Sequence, residues 1–164
     1  MKKILIFFLL ISSTVSAQKK LEKLLQKWNK NNVPYIYVDT LDSLKTNAIL
    51  LDAREKKEYN VSHLKNALFV GSNHFKIDET LKKLPKDKNI KIVVYCSLGI
   101  RSEIIAHKLI KKGYTNVYNL YGGIFEWKNK DFKVIDSLGN TTEKIHVYSE
   151  NWSKWLTKGK KVCE

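Results

Sequence analysis

The stretch VVYCSLGIRSEII, residues 93–105, contains one of only two cysteines in a chain of 164 residues. The β-branched run that leads into it predicts a buried strand over residues 90–95. Beyond it, apolar residues recur at helical spacing and predict a helix over residues 101–112, which Gly113 ends. Cys96 therefore lies in a short loop between the end of a strand and the start of a helix.

This loop favours a reactive thiolate. Its backbone N–H groups and the positive end of the following helix dipole both stabilise negative charge at Cys96. Gly99 lets the loop curl so that successive amides point inward and form an anion site. A lone cysteine after a buried strand is more often an inert, small hydrophobic residue, but the spacing C-x-x-G-x-R-S favours a nucleophile. We therefore predict an anion-binding loop around Cys96, here called the Cys96 cup, formed by Ser97, Leu98, Gly99, Ile100, Arg101 and Ser102.

The rarity of arginine singles out two positions. Of 30 basic residues, only Arg54 and Arg101 are arginine. A guanidinium group holds a carboxylate or another anion in two-point geometry, which lysine cannot do. We predict that Arg101 either binds an anionic substrate or braces the loop against a neighbouring carboxylate or carbonyl.

Outside the cup, short apolar runs alternate with helical patterns, which predicts a parallel sheet covered on both faces. The run AILLD, residues 48–52, predicts a buried strand that ends on Asp52. Ligands bind beyond the carboxyl ends of the strands in such sheets, and both Asp52 and Cys96 lie at such ends. The other predicted strands are residues 35–38, 67–70 and 116–120, and the other predicted helices are residues 18–30, 39–45, 55–59 and 78–84.

The pattern changes after Asp131. FKVID and KIHVY flank a turn sequence and predict a hairpin, followed by a short helix that carries Trp152 and Trp155. We expect this extension to dock onto the domain body; the alternative is that it binds a partner or a membrane surface. Because chain ends fray, we predict no structural disulfide between Cys96 and Cys163.

The first 17 residues have the three-part layout of a secretory signal peptide, in which two lysines precede an apolar run and small residues. The apolar run is too short to span a bilayer. The alternative is a buried N-terminal helix, but nothing after Ala17 continues the run. We predict a mature chain that starts at Gln18 and is exported, to a bacterial periplasm.

The net charge is +14. Such a charge is found in proteins that bind nucleic acid or anionic membranes. Here the lysines are scattered along the whole chain, which favours a solvated, lysine-rich surface instead. We predict a monomer that binds neither nucleic acid nor, once the signal peptide is removed, the membrane interior.

Three segments together resemble the rhodanese-like sulfurtransferases: ILLDAREKKEYNVSHLKNALFV (49–70), VVYCSLGIRS (93–102) and GYTNVYNLYGGIFEW (113–127). Each segment alone is a weak signal, but their order and separations are specific. The resemblance covers residues 33–134. It divides the mature chain into an N-terminal helix over residues 18–32, a rhodanese-like domain over 33–134 and a C-terminal extension over 135–164.

The resemblance implies an α/β fold with a central parallel sheet and helices on both faces, to which the sequence pattern adds the small hairpin and helix of the extension. It also implies that Cys96 takes a sulfur from a donor such as thiosulfate, carries it as a persulfide and passes it to a thiol or cyanide. Asp52 and Arg54 would support the loop, and neither a cofactor nor a metal is implied.

One departure is Ser62, where the family usually has glycine before the histidine of the turn. The remaining histidines, which we expect to be in solvent, are His74, His107 and His146.

The sequence leaves two rival functions open. Cysteine-dependent phosphatases and arsenate reductases use a related cup, but theirs is one residue longer between cysteine and arginine. The second rival is a non-catalytic rhodanese-like binding module, and such modules often lack the cysteine that this chain has. The shorter loop and the cysteine both favour sulfur transfer.

Overall fold

The computed structural model describes residues 18–43 and 47–163. The predicted signal peptide, residues 1–17, lies outside the described residues. The described chain divides into two compact units. The first contains helix α1 over residues 18–28, as predicted, and the second contains residues from 32 onward. The domain boundaries given above stay predictions.

The second unit is built on a parallel sheet of five strands in the order β1-β5-β4-β2-β3. Every neighbouring pair in this sheet is parallel, as the alternation of strands and helices predicts. The strands are β1 (Tyr35–Ile36), β2 (Ile49–Asp52), β3 (Leu68–Phe69), β4 (Ile92–Tyr95) and β5 (Val117–Leu120).

Helices cover both faces of this sheet, and the first four lie close to their predicted positions. They are α2 (Val38–Ser43), α3 (Lys56–Val61), α4 (Ile77–Lys83), α5 (Arg101–Lys111) and α6 (Gly123–Asn129). All four residues of β4 are completely buried, because this central strand has a helix layer above and below it. Helix α5 packs its predicted inner face, which includes Ile105 and Leu109, into the same core as Cys96.

The register of the sheet determines where the candidate site lies. Asp52 at the end of β2 aligns with Tyr95 at the end of β4. Cys96 therefore leaves the sheet next to the residues that follow Asp52. The carboxyl ends of the two central strands meet at one edge, as predicted for Asp52 and Cys96.

The C-terminal extension has a different strand pairing from the one predicted. The hairpin exists, but β6 (Val134–Ile135) pairs with β7 (Thr141–Thr142) and not with KIHVY. The Asp136 carboxylate accepts hydrogen bonds from the backbone N–H groups of Leu138 and Asn140 and closes a tight turn. The chain therefore reverses too early for the KIHVY segment to reach β6.

That segment forms β8 (Lys144–His146), which pairs in parallel with β9 (Lys160–Val162). The crossover between these strands contains the short helix α7 (Glu150–Ser153). The predicted helix carried both Trp152 and Trp155, but α7 ends at Ser153, so only Trp152 lies in it. His146 on β8 is completely buried, so the prediction that it lies in solvent is wrong; it sits in a strand that packs against the domain body.

The extension docks onto the domain body, as expected. Ile135 and His63 exchange two backbone hydrogen bonds of 2.8 and 2.9 Å. At the end of α6, the Asn129 amide donates to the Trp155 carbonyl and accepts from the Thr157 N–H group. None of the described helices is long and apolar enough to cross a membrane.

Candidate active site

Cys96 lies at the bottom of the cup, with 2% of its surface exposed. The Gly99 N–H group donates a hydrogen bond of 3.1 Å to its Sγ atom, and the Ser102 hydroxyl lies 3.5 Å from the same atom. Gly99 has φ = +107°, and a Cβ atom there would lie 3.2 Å from the Leu120 carbonyl oxygen. Glycine is therefore required for the curl that aims this amide at the sulfur.

The start of α6 holds the first residues of the loop through backbone hydrogen bonds. Ile124 and Phe125 donate backbone hydrogen bonds of 2.9 and 3.2 Å to the carbonyls of Cys96 and Ser97. A Cβ atom on Gly123 would come within 2.2 Å of the Cys96 carbonyl oxygen, so only glycine allows this approach. The Gly-Gly pair thus fixes the position of Cys96.

Asn119 on β5 links both sides of the cup and was not among the predicted site residues. Its side-chain nitrogen donates to the Gly99 carbonyl and its oxygen accepts from the Ser102 hydroxyl, both at 2.7 Å. It is completely buried. The available signal was a polar residue at a core-facing position of an apolar strand, since such residues need internal partners.

Glu58, which was not among the predicted site residues either, is the ion-pair partner of Arg101. Both terminal nitrogens of the Arg101 guanidinium, Nη1 and Nη2, donate to its carboxylate, at 2.6 and 2.8 Å. Ser97 joins this group through its hydroxyl, which donates to Glu58 and accepts from Arg101, both at 3.1 Å. Of the two roles predicted for Arg101, the geometry favours bracing the loop against a carboxylate. Arg101 thus stabilises the outer edge of the cup, while backbone N–H groups face the Cys96 sulfur.

The electrostatics of the cup favour the thiolate. Burial raises the pKa of the Cys96 thiol, but the positive charge of Arg101 and hydrogen bonds from Ser102 and Gly99 lower it by more. The resulting pKa lies below its ordinary value. Burial likewise raises the pKa of Glu58, and its contacts with Arg101 outweigh this, so its pKa is lowered. The cup thus combines a nucleophilic sulfur with a permanently ionised brace.

Asp52 and Arg54 form a second two-point ion pair, which is completely buried. The Arg54 Nη2 atom lies 2.7 Å from the Asp52 carboxylate and 2.5 Å from the Ser62 carbonyl. Ser62 has an extended backbone with φ = −169°, which any residue adopts, so serine replaces the family's glycine without strain. This pair lies where it can support the chain leading to Glu58, and neither member contacts the sulfur.

A cavity of about 180 Å³ opens onto Cys96. The predicted cup residues on its wall are Ser97, Leu98, Ile100 and Arg101. Tyr148 and Trp152 of the extension complete the wall and were not among the predicted site residues. Cys163 is an exposed free thiol. Among the described residues, no cluster of side chains has the composition of a metal site.

For the thiosulfate activity that the family resemblance implies, replacing Arg101 by lysine is expected to lower kcat/KM by about five- to a hundredfold, because a charge-assisted hydrogen bond contributes about 1–3 kcal/mol and 1.36 kcal/mol corresponds to about tenfold in rate. Lysine keeps the charge but loses the two-point contact with Glu58. Steady-state kinetics test this loss.

The pH dependence of Cys96 alkylation separates charge from geometry in the same variant. Because the Arg101 charge lowers the thiol pKa, Arg101→Met should shift the onset of alkylation to higher pH. Arg101→Lys should shift it less. If Arg101→Lys had wild-type kinetics, the backbone of the loop would be sufficient for activity without the two-point contact of the guanidinium.

The family profile of the rhodanese-like domain matches residues 37–130, which include the cup, both ion pairs and the Gly-Gly segment. The chain belongs to the rhodanese-like domain family. The sequence resemblance is thereby confirmed. Tyr148 and Trp152 lie outside the matched residues.

Solved structures show the same fold. A rhodanese-related protein from Thermoplasma volcanium is 25% identical, with a TM-score of 0.55, over 62% of this chain and 97% of that one. A thiosulfate sulfurtransferase from Pseudomonas aeruginosa has a TM-score of 0.59 at 19% identity, over 85% of this chain and 26% of that one. At these identities the likeness concerns the rhodanese-like fold.

Curated relatives carry a different name. The tRNA uridine(34) hydroxylase of Hamiltonella defensa is 40% identical over 90 residues, or 51% of this chain and 25% of that protein. The protein of the same name from Erwinia tasmaniensis is 38% identical over 85 residues, or 51% of this chain and 24% of that protein. The match thus spans about a quarter of the length of these relatives.

Proposed function

We propose that this protein is a sulfurtransferase that moves a sulfane sulfur from a donor such as thiosulfate to a thiol or cyanide through a persulfide on Cys96. The single observation that carries this proposal is the position of the Cys96 Sγ atom. It lies under the Gly99 amide at the bottom of an accessible cavity, and its pKa is lowered. The nucleophilic sulfur, the amide that stabilises its negative charge and the cavity that would hold a substrate therefore lie at the same place.

The first half-reaction forms the persulfide. The Cys96 thiolate attacks the outer sulfur of thiosulfate, a new S–S bond forms, and the old S–S bond breaks with its electron pair leaving on sulfite. The outer sulfur then bears the negative charge. The loop amides, with the Gly99 N–H group foremost, stabilise that charge as they stabilise the thiolate.

The second half-reaction returns the enzyme to its starting state. An acceptor thiolate or cyanide attacks the outer sulfur of the persulfide, and the electron pair of the broken S–S bond returns to Cys96. Ser102 and Asn119 hold the loop in one conformation throughout, because their hydrogen bonds tie Gly99 to β5. Neither step needs a metal or an external oxidant.

The rival readings have less support. A phosphatase cup of the related kind has one more residue between cysteine and arginine, which gives a tetrahedral phosphoryl group the space it needs. A non-catalytic binding module does not require a cysteine with a lowered pKa at the bottom of a cavity. Because the relatives named tRNA uridine(34) hydroxylase match this chain over only a quarter of their length, we assign it sulfur chemistry and not tRNA hydroxylation.

Intact-mass analysis of the purified protein tests the proposal. After incubation with thiosulfate, the mass should increase by that of one sulfur atom, and cyanide should remove this increase with release of thiocyanate. Peptide mapping should locate the sulfur on Cys96. A protein whose mass does not change with thiosulfate or with an organic thiosulfonate would contradict the proposed function.

A further inference from the structure

The two aromatic residues of the extension form an unusual part of the cavity wall. Tyr148 and Trp152 face the cup together with Leu98 and Ile100, so much of the surface around the sulfur is apolar. Tyr148 is nevertheless 47% exposed. An exposed aromatic side chain beside a nucleophile provides a surface for a ligand, whereas core packing would bury it.

The backbone holds Tyr148 in place at a conformational cost. Its φ is +65°, which is uncommon for a residue with a bulky side chain. The fully buried His146 accepts a hydrogen bond of 2.9 Å from the Tyr148 N–H group and fixes this conformation. Strained backbone of this kind is concentrated at functional sites.

Arg101 joins this aromatic residue to the cup. Its guanidinium carbon lies 4.9 Å from the centre of the Tyr148 ring, in cation–π contact. The same guanidinium is paired in two-point geometry with Glu58. Because the Glu58 carboxylate offsets the arginine charge, the mouth of the cavity offers aromatic surface more than net positive charge.

We propose that Tyr148 and Trp152, here called the aromatic wall, make the Cys96 persulfide select an acceptor thiol that carries an apolar or aromatic group. The identification of the ligand as an acceptor rests on the proposed function. In the transfer step the acceptor sulfur bonds to the outer sulfur and Cys96 leaves as a thiolate. The organic group of the acceptor then lies against the two rings, in a cavity of about 180 Å³ that accommodates a small organic molecule.

Covalent labelling tests the wall without requiring turnover. Methyl and benzyl methanethiosulfonate both react with a thiolate to form a mixed disulfide and release methanesulfinate, so the two reagents differ only in the group transferred. The protein carries Cys163→Ser, which leaves Cys96 as its one thiol. The measured quantity is the ratio of the benzyl to the methyl rate constant, divided by the same ratio for free cysteine.

In the protein that carries only Cys163→Ser, this normalised ratio should be about three to ten. That is roughly the factor in rate that one aromatic contact contributes. Tyr148→Ser and Trp152→Ser should each lower it by a similar factor. Tyr37→Ser is the matched control, because Tyr37 is also an exposed tyrosine, at 52%, and does not line the cavity. Tyr148→Phe and Trp152→Phe, which keep a ring, should retain the selectivity, and unchanged melting temperatures show that the serine variants fold.

An unchanged ratio in either serine variant would overturn the proposal, as would an equal fall in Tyr37→Ser. A second measurement addresses the acceptor role. The persulfide form should transfer sulfur to phenylmethanethiol in preference to 2-mercaptoethanol, and Trp152→Ser should reduce this preference. If wild-type protein forms no persulfide, the proposed function fails, and the labelling ratio still decides whether the wall selects aromatic groups.

Discussion

Replacing Cys96 by serine is expected to reduce sulfur transfer from thiosulfate by at least about a thousandfold, as removal of an essential nucleophile does in other enzymes. A serine hydroxyl is not ionised at neutral pH and cannot carry a sulfane sulfur. The change is close to isosteric, and the Gly99 amide still has an oxygen acceptor in place of Sγ. The fold should therefore survive, which the melting temperature will show.

Cys163→Ser is the matched control for this loss. Cys163 is exposed and lies outside the cavity that opens onto Cys96. Its removal should leave the rate of thiocyanate formation close to the wild-type value. If Cys163→Ser were as inactive as Cys96→Ser, a mechanism that uses two thiols would replace the persulfide mechanism.

Replacing Arg54 by methionine is expected to lower the free energy of unfolding by about 3–5 kcal/mol, because the Asp52 carboxylate is then buried without its partner. For a chain of this size, a loss of about 1 kcal/mol lowers the melting temperature by roughly 2–4 °C. A fall of roughly 6–20 °C is therefore expected in thermal unfolding followed by circular dichroism.

Two comparisons show whether the unpaired carboxylate causes this loss. The exposed ion pair between Lys76 and Glu79 provides the control, since Lys76→Met should leave the melting temperature unchanged. Asp52→Asn added to Arg54→Met should recover part of the stability, because a neutral amide costs less to bury than a carboxylate. A melting temperature in Arg54→Met equal to that of wild type would mean that the buried pair does not stabilise the fold.

The position of the Cys96 loop was predictable from the sequence, because local rules govern the strand and the helix that flank it. A β-branched run specifies the strand that ends at Cys96, and helical periodicity specifies α5 directly after the loop. The scarcity of arginine singled out Arg54 and Arg101, and both form two-point ion pairs in the structure. For Arg54 the partner Asp52 is two residues away, within reach of sequence reasoning.

The partners of the cup were not predicted, because they are distant in the sequence. Glu58 lies 43 residues before Arg101, and Asn119 lies 17 residues after Ser102. Their side chains reach the loop only because the parallel sheet aligns the carboxyl ends of β2, β4 and β5. Nothing in the local pattern around Glu58 distinguishes it from an acidic residue on a solvated helical turn.

The sequence by itself determined the α/β class, the position of Cys96 between β4 and α5, and the glycines on which the curl of the loop depends. These follow from periodicity and from backbone conformations that only glycine adopts. The tertiary structure alone decided that Arg101 braces Glu58 and that the extension brings Tyr148 and Trp152 to the sulfur. The physical reason is that β8 pairs with β9 and not with β6, since the Asp136 turn closes early. Pairing between distant strands depends on which edges the folded domain leaves available, and local sequence does not encode that choice.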